Sequence, residues 1–252
     1  MKFKLLIGAV FTLFFSVSLL AHLPIKWVLE QVPKVPQLSL KGVSGTPWQG
    51  KAEQVSWQQH NAGQVSWELQ LASLFTGKVE FKVRFGRGSD LNLRGKGVIG
   101  YDMNGPYGRD LLLSAPADKL LGLAKMPVPV SAQGQLELTL AQYRFVAPWC
   151  QVADGELVWS GAQVISPLGN INPGPVIADV NCTDNQLSVQ SKQNSEALSS
   201  EFEVGLTPNM RYSVSGWFKP GAEFPAGLNS QLKWLGNPDP KGQYKITQSG
   251  RL

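Results

Sequence analysis

The chain has 252 residues, 43% hydrophobic and 16% charged, with 26 Gly, 17 Pro and two Cys. That length holds one large all-β domain or two small ones, the charged fraction lies below the roughly 25% of soluble domains, and so much Gly and Pro suits a chain with many turns. The net charge of +5 is mild, and with no helix or aromatic platform to present it, nucleic acid is disfavoured as a partner.

The first segment reads as a membrane element. Lys2 and Lys4 precede an uncharged run, Leu5 to Leu20 (LLIGAVFTLFFSVSLL). Extended to Leu23, at about 1.5 Å per residue, it nearly crosses a hydrocarbon core of about 30 Å. The two lysines hold its start in the cytoplasm, and Trp27 suits the outer interface. A cleaved signal peptide is the rival reading. Cutting after Ser16-Val17-Ser18 would leave Leu19 and Leu20 at the new terminus, however, and cutting after Ala21 would put Leu19 where a small residue is wanted. We favour an uncleaved anchor. Either reading places the body outside the cytoplasm, and no second apolar run is long enough to span. Pro24 to Val32 (PIKWVLEQV) reads as a short helix leaving the membrane.

Beyond it, alternation of period two dominates. Gly45-Thr46-Pro47-Trp48-Gln49-Gly50-Lys51-Ala52 nearly matches a phosphate-binding loop, but Ala52 lacks the hydroxyl that would hold magnesium, and a strand-like run with Val55 and Trp57 follows. No nucleotide is expected. His60 sits in a stretch, Gln58 to Gly63, that reads as a hairpin tip, and His22 lies at the membrane boundary; neither has a partner at metal-ligand spacing. Val65, Trp67, Leu69 and Leu71 share one face. Val79, Phe81, Val83 and Phe85 point one way, and Lys78, Glu80, Lys82 and Arg84 the other. Gly95-Lys96-Gly97-Val98-Ile99-Gly100 spells G-x-G-x-x-G without a helix behind it, so a glycine-rich strand with a bulge is the reading. The basic excess from Lys78 to Arg109 reads as a solvated sheet face, or as a contact with membrane phosphates or an acidic partner.

Pro116 to Ala124 has proline at a helix start and apolar residues at helical spacing. Alternation resumes at Leu136/Leu138/Leu140 and recurs at Leu187/Val189, Phe202/Val204/Leu206, Tyr212/Val214, Leu232/Trp234 and Tyr244/Ile246. Turn residues punctuate it at Gly77, Gly86-Arg87-Gly88, Asp154-Gly155, Asp184-Asn185, Pro208-Asn209 and Asp239 to Gly242. Cys150 and Cys182 are expected to form one disulfide, because the body lies in an oxidising compartment. Consecutive strands with one apolar face imply antiparallel hairpins. A curled sheet, a sandwich or an open half-pipe would each cover that face. No G-x-S-x-G elbow is present, and the carboxylates Asp102, Asp154 and Asp184 fall in turns.

The stretch Gly42-Val43-Ser44-Gly45-Thr46-Pro47-Trp48-Gln49-Gly50, followed by Val55-Ser56-Trp57, resembles the G-x-S-G-[TS]-x-W-x-G signature of the type II secretion system protein N family. The resemblance continues through Cys150, Gly155 to Trp159, Pro167-Leu168-Gly169, Cys182 to Asn185, Gly216 to Pro220, Leu235-Gly236 and Gly242 to Tyr244. A fainter one links the x-V-x-W pattern to long single-sheet envelope proteins of the AsmA type. The family resemblance implies an accessory, non-catalytic role, without cofactors, in a machine that exports folded proteins from the periplasm. Its expected partners are other secretion proteins, the inner membrane and, as a second candidate, lipid. The expected layout is residues 1–4 as a cytoplasmic tail, 5–23 as a transmembrane anchor, and 24–252 as a periplasmic domain. The expected fold is all-β: one extended, curled, mainly antiparallel sheet behind a transmembrane helix, with one or two short helices. Trp48, Trp57 and Trp67 are expected to supply apolar area to the inner face, and Gly42, Gly45 and Gly50 to permit tight bends around Ser44. Three functions compete: a structural subunit pairing through a strand edge, a carrier with an apolar trough, and, least favoured, an enzyme. A dry interior filled by the eight tryptophans would point to the first, and a continuous open groove to the second.

Overall fold

The repeated alternation of apolar and polar side chains, cut by turn residues, folds as one antiparallel meander. The computed structural model describes residues 2–31, 36–58, 60–122 and 129–251. Two helices lead, α1 (Lys2–Ala21) and α2 (Ile25–Gln31). Then come β1 (Leu38–Lys41), β2 (Ser44–Gly45), β3 (Gln49–Trp57), β4 (His60–Leu69), α3 (Leu71–Leu74), β5 (Val79–Arg87), β6 (Arg94–Asp102), β7 (Gly105–Pro116) and α4 (Ala117–Leu121). The second half holds β8 (Ser131–Arg144), β9 (Val152–Ser166), β10 (Gly169–Ile171), β11 (Val176–Thr183), β12 (Gln186–Asn194), β13 (Leu198–Leu206) and β14 (Arg211–Pro220). It closes with α5 (Ala226–Asn229), a 3₁₀ turn at Leu232–Leu235 and β15 (Tyr244–Arg251). All the strands form one 15-stranded sheet in which each pairs with its sequence neighbour, β2 and β10 being short additions beside β3 and β9. The sheet is open, since the order starts at β1 and stops at β15.

Two ends of the sheet differ. The disulfide end carries the turns β2–β3, β4–β5, β6–β7, β8–β9, β11–β12 and β13–β14. The opposite end carries α4, β10 and the long excursion from β14 to β15. Helix α2 lies against β2, at the disulfide end.

Several elements depart from the sequence reading. The span expected over residues 5–23 is not found as such. Helix α1 has 20 residues and stops at Ala21, and among the described residues no helix is long and apolar enough to cross a membrane. Pro24 accounts for the early stop, because it disfavours helical backbone at the residue before it. Asp154-Gly155 is no turn; both residues lie inside β9, paired with Asn181 and Val180. Leu232/Trp234 is no strand. The pair is too short between Asn229-Ser230 and Gly236-Asn237-Pro238 and winds into the 3₁₀ turn. Two short helices were expected, and α3 and α5 are additional. The expected helix Pro116–Ala124 is α4, with its last residues outside those described, as is Val32 after α2. The glycine-rich β6 bulges against β7 between Lys96 and Val98.

Among the described residues no full second layer covers the sheet. The chain exposes 17044 Å², against about 11,000 Å² for a compact monomer of this size. Among the described residues the buried apolar ones are mostly alanines and the two cysteines, and no large side chain is fully buried. Stability therefore rests on the strand ladders and on what clamps them. One clamp is the Cys150–Cys182 disulfide, which joins the β8–β9 loop to the end of β11, with Cα atoms 6.3 Å apart. Tyr143, Trp149 and Leu187 pack on it. Asn185 holds the same loop: its side-chain oxygen accepts from the Cys150 amide (3.1 Å), and its backbone oxygen from the Trp149 indole (3.0 Å).

The second clamp crosses β5 to β8 on the polar face. Glu80 takes two bonds from Arg109, at 2.9 and 3.1 Å, and one from the Tyr107 hydroxyl at 2.8 Å. Asp102 receives both Arg144 nitrogens at 2.9 Å, and that guanidinium lies 5.3 Å over the Tyr107 ring. The Arg109 hydrogen bonds hold the Glu80 carboxyl below its ordinary range, against the opposing effect of its burial, and Arg144 does the same for Asp102. Burial, then the bond to Glu80, pushes Tyr107 up to about 12.

Both lowered carboxyls contribute stability that is complete above their unfolded values, 4.5 and 3.8. It is lost as pH falls through the lower folded values. Glu80→Gln should cost about 1–3 kcal/mol at neutral pH and reduce the loss of stability on acidification, read by urea unfolding from pH 7 to pH 3.5. For the disulfide, with a sequence separation of 32, the chain-entropy model gives about 3–4 kcal/mol. Unfolding midpoints of the Cys150→Ser, Cys182→Ser double variant should fall accordingly.

Candidate functional site: the uncovered apolar face

The register places one continuous apolar face across the sheet. Val65, Val83 and Phe81 lead on to Ile99. Leu113 faces Leu138, which faces Leu157. Val180, Val189, Val204 and Val214 then stand in line, strand to strand. This face is an open trough. Aromatic rings line it by lying flat over glycines on the neighbouring strand: Trp67 over Gly50, Phe85 over Gly95, Phe202 over Gly216 and Tyr212 over Gly250, each a registered pair. A Cβ at Gly50 would sit 2.5 Å from the Trp67 ring. Glycine opposite an aromatic thus keeps the ring down on the backbone.

The trough differs at its two ends. At the opposite end the excursion 221–243 crosses it. There Phe202, Phe218, Phe224, Leu228 and Leu232 enclose a hollow of about 490 Å³. The excursion docks on the β9–β10 turn, where a Cβ at Gly169 would meet Pro225 and one at Gly227 would meet Leu168. At the disulfide end a second apolar hollow, of about 380 Å³, lies among Val79, Phe81, Ile99, Tyr101, Tyr143 and Phe145. Burial raises the Tyr143 hydroxyl pKa, and that hydroxyl donates to the Trp149 carbonyl. Such an arrangement can hold hydrocarbon or an apolar protein segment; it offers little polar chemistry.

The signature residues fall at the start of the sheet. Gly42 and Gly45 have φ of +62° and +98°, a backbone region that favours glycine. Ser44 and Gly45 form β2. Gly50 receives the Trp67 ring, and the Trp67 indole donates to Thr46 at 3.2 Å. Trp48 is 39% exposed and Trp57 47%. Neither is buried in a dry interior, since no layer faces them. The structure brings Gly45, Gly50 and Trp48 together, and leaves the Cys150–Cys182 pair on distant strands of the same end. Among the described residues no group of His, Cys, Asp and Glu could hold a metal ion. His60 opens β4 beside the β3–β4 turn.

The roofing excursion escaped the sequence reading. Its signal was present: Leu228, Leu232 and Leu235 recur at helical spacing between Pro225 and Pro238. Three of the segments quoted for the family resemblance meet there, Pro167-Leu168-Gly169, Gly216–Pro220 and Leu235-Gly236. Their convergence was not visible in the linear order.

The family described as "Type II secretion system (T2SS), protein N" matches residues 36–247. The type II secretion system protein N of Vibrio cholerae serotype O1 is 44% identical over 97% of both chains. That of Aeromonas hydrophila is 36% identical over 100% of each, and that of Pectobacterium carotovorum 26% over 100% of this chain and 99% of its own. No solved structure matches. The chain belongs to the type II secretion system protein N family.

Proposed function

We propose that this protein is a non-enzymatic accessory component of the type II secretion apparatus. Residues 5–23 anchor it in the inner membrane, with residues 1–4 in the cytoplasm and 24–252 in the periplasm, and it works by touching other components. Support for the anchor comes from the uncharged run itself and from Phe11, Phe14, Phe15 and Leu19, all exposed on α1. The non-enzymatic reading draws on Glu80 and Asp102, whose carboxylates are spent on Arg109 and Arg144.

One observation carries the contact with partners. Arg84 and Lys96 stand directly opposite each other across β5 and β6. Arg87 and Arg94 join Arg84 around a hollow of about 390 Å³ on the polar face. Like charges directly opposite destabilise a sheet, and among the described residues none of these four cations has an ion-pair partner. An acidic surface on a neighbouring component would relieve the repulsion.

A second reading, a periplasmic carrier for lipid or hydrophobic segments, is favoured by the open trough and by the apolar hollow at each of its ends.

Complementation of a deletion strain tests the first reading. Arg84→Glu with Lys96→Glu should reduce secretion several-fold at normal protein level, with loss of a protein crosslink formed from position 94. Unchanged secretion and crosslinking would remove the contact reading. Export of the body without residues 1–23 should also impair secretion, since tethering raises effective concentration near membrane partners. For the carrier reading, a photocrosslinker at Leu138 or Val204 should capture phospholipid in cells; capture of protein alone would set it aside.

A further inference from the structure

We propose that the disulfide end of the sheet is seated in the surface of the bilayer that holds α1, through an arc of apolar turns on the N-terminal half of the sheet. The identity of that bilayer rests on the anchor reading above, whereas the arc follows from the fold.

Four successive turns at this end present apolar side chains to solvent. They are β2–β3 with Trp48, β4–β5 with Phe75, β6–β7 with Met103 and β8–β9 with Phe145, exposed by 39%, 94%, 99% and 42%. Leu71 on α3 adds 67%. Hairpin tips ordinarily take Gly, Asn, Asp or Ser. This chain follows that rule at the opposite end, with Gly88-Ser89-Asp90 between β5 and β6 and Ser195-Glu196 between β12 and β13. At the disulfide end the rule is broken in adjacent hairpin turns, whereas the exposed apolar residues Leu168, Trp234 and Leu235 at the opposite end belong to the β9–β10 turn and the excursion that docks near it. Neighbouring strands lie about 4.8 Å apart, so turns on alternate strand gaps recur roughly every 10 Å and four of them span about 30 Å. An apolar arc of that length suits a broad apolar medium.

The chain path supplies the second argument. Helix α1 ends at Ala21 and α2 starts at Ile25. Three linking residues reach at most about 10–14 Å. Ile25 is buried, and α2 lies against β2, whose turn begins the arc. The chain therefore leaves α1 beside these turns. Trp27 on α2 is 57% exposed, and Lys26 and Lys78 are exposed nearby. An amphipathic ring and lysines with apolar stems belong at headgroup level, where anionic lipid attracts them. Beyond β9 the arc thins: the turns at this end are Asp184-Asn185 and Pro208-Asn209-Met210, where the apolar Met210 is 39% exposed. The half of the sheet nearest α1 is the half that sits on the membrane, and the hollow beside Tyr101 and Phe145 opens within the seated rim.

The test uses the full chain in liposomes of phosphatidylethanolamine and phosphatidylglycerol. The photoreactive residue p-benzoylphenylalanine replaces Phe75, Met103, Leu19 or Glu196 in turn, and intact mass reads the adducts. Phospholipid should add at Leu19, Phe75 and Met103, and at least tenfold less at Glu196 on the opposite end. Lipid at Leu19 with none at Phe75 and Met103 overturns the seated rim and leaves the anchor standing. Lipid at Phe75 and Met103 but not at Leu19 keeps the rim and overturns the anchor. No lipid at any position, or equal lipid at Glu196, overturns the proposal, as does an adduct of doubled protein mass at Phe75, which would mark a contact with a second copy. The same variants in cells decide against a protein partner: capture of another protein in place of lipid overturns the bilayer assignment.

Discussion

Every property of this molecule depends on one constraint: each strand finds its hydrogen-bond partner in its sequence neighbour, and among the described residues no full second layer is laid over the apolar face that results. Most domains bury such a face against a second sheet or a layer of helices. Here α2 lies against β2 and α4 against β7 and β8, and among the described residues the excursion 221–243 crosses the trough at one end. Hydrophobic burial is correspondingly thin, and the backbone ladders, with their bulges and cross-strand pairs, take over the work of a core. The disulfide and the two ion-pair groups reinforce the middle of the sheet, between β5 and β11, where neither edge can help.

The aromatic–glycine pairs show how a one-layer sheet remains tractable. A tall aromatic on an uncovered face would stand in water on most of its surface. Laid flat over a glycine, it shields the backbone hydrogen bonds beneath it and buries one side of its ring. The same device leaves the trough shallow and unobstructed, which is the geometry a carrier or a docking groove needs. The start of the sheet uses the same device: Gly50 receives the Trp67 ring, while Gly45, at positive φ between β1 and β3, lies beside Thr46, whose carbonyl accepts from the same indole.

Much of this was legible in the sequence. Strict alternation such as Lys78 to Phe85 gives both the strand and the face, because side chains point to opposite sides at every step. Turn chemistry marked most hairpins. It failed at Asp154-Gly155, where the glycine serves close approach inside β9: a Cβ there would collide with the Thr139 carbonyl. Alternation failed at Leu232/Trp234, because two residues cannot separate period two from a tight turn. The trough itself was open among three alternatives, since alternation records that a face is apolar and not what covers it. The apolar turns Phe75 and Met103 were visible as letters, but their shared end appears only once strand direction is known. The pairing of Glu80 with Arg109 and of Asp102 with Arg144 spans separations of 29 and 42 residues, which no local pattern encodes.

Sequential pairing also sets how the molecule fails. When strands meet only their immediate neighbours, cooperativity is close to one-dimensional, as in solenoid repeats. Damage in one hairpin weakens the two interfaces beside it and is little felt several strands away. Loss of structure starts as fraying from β1 or β15 and advances strand by strand, and the crosslink between the β8–β9 loop and β11 is placed where such a front would have to stop. The same locality favours growth, because local contacts close small loops and cost little chain entropy. A chain that emerges N-terminus first can add each strand to the edge left by the one before it.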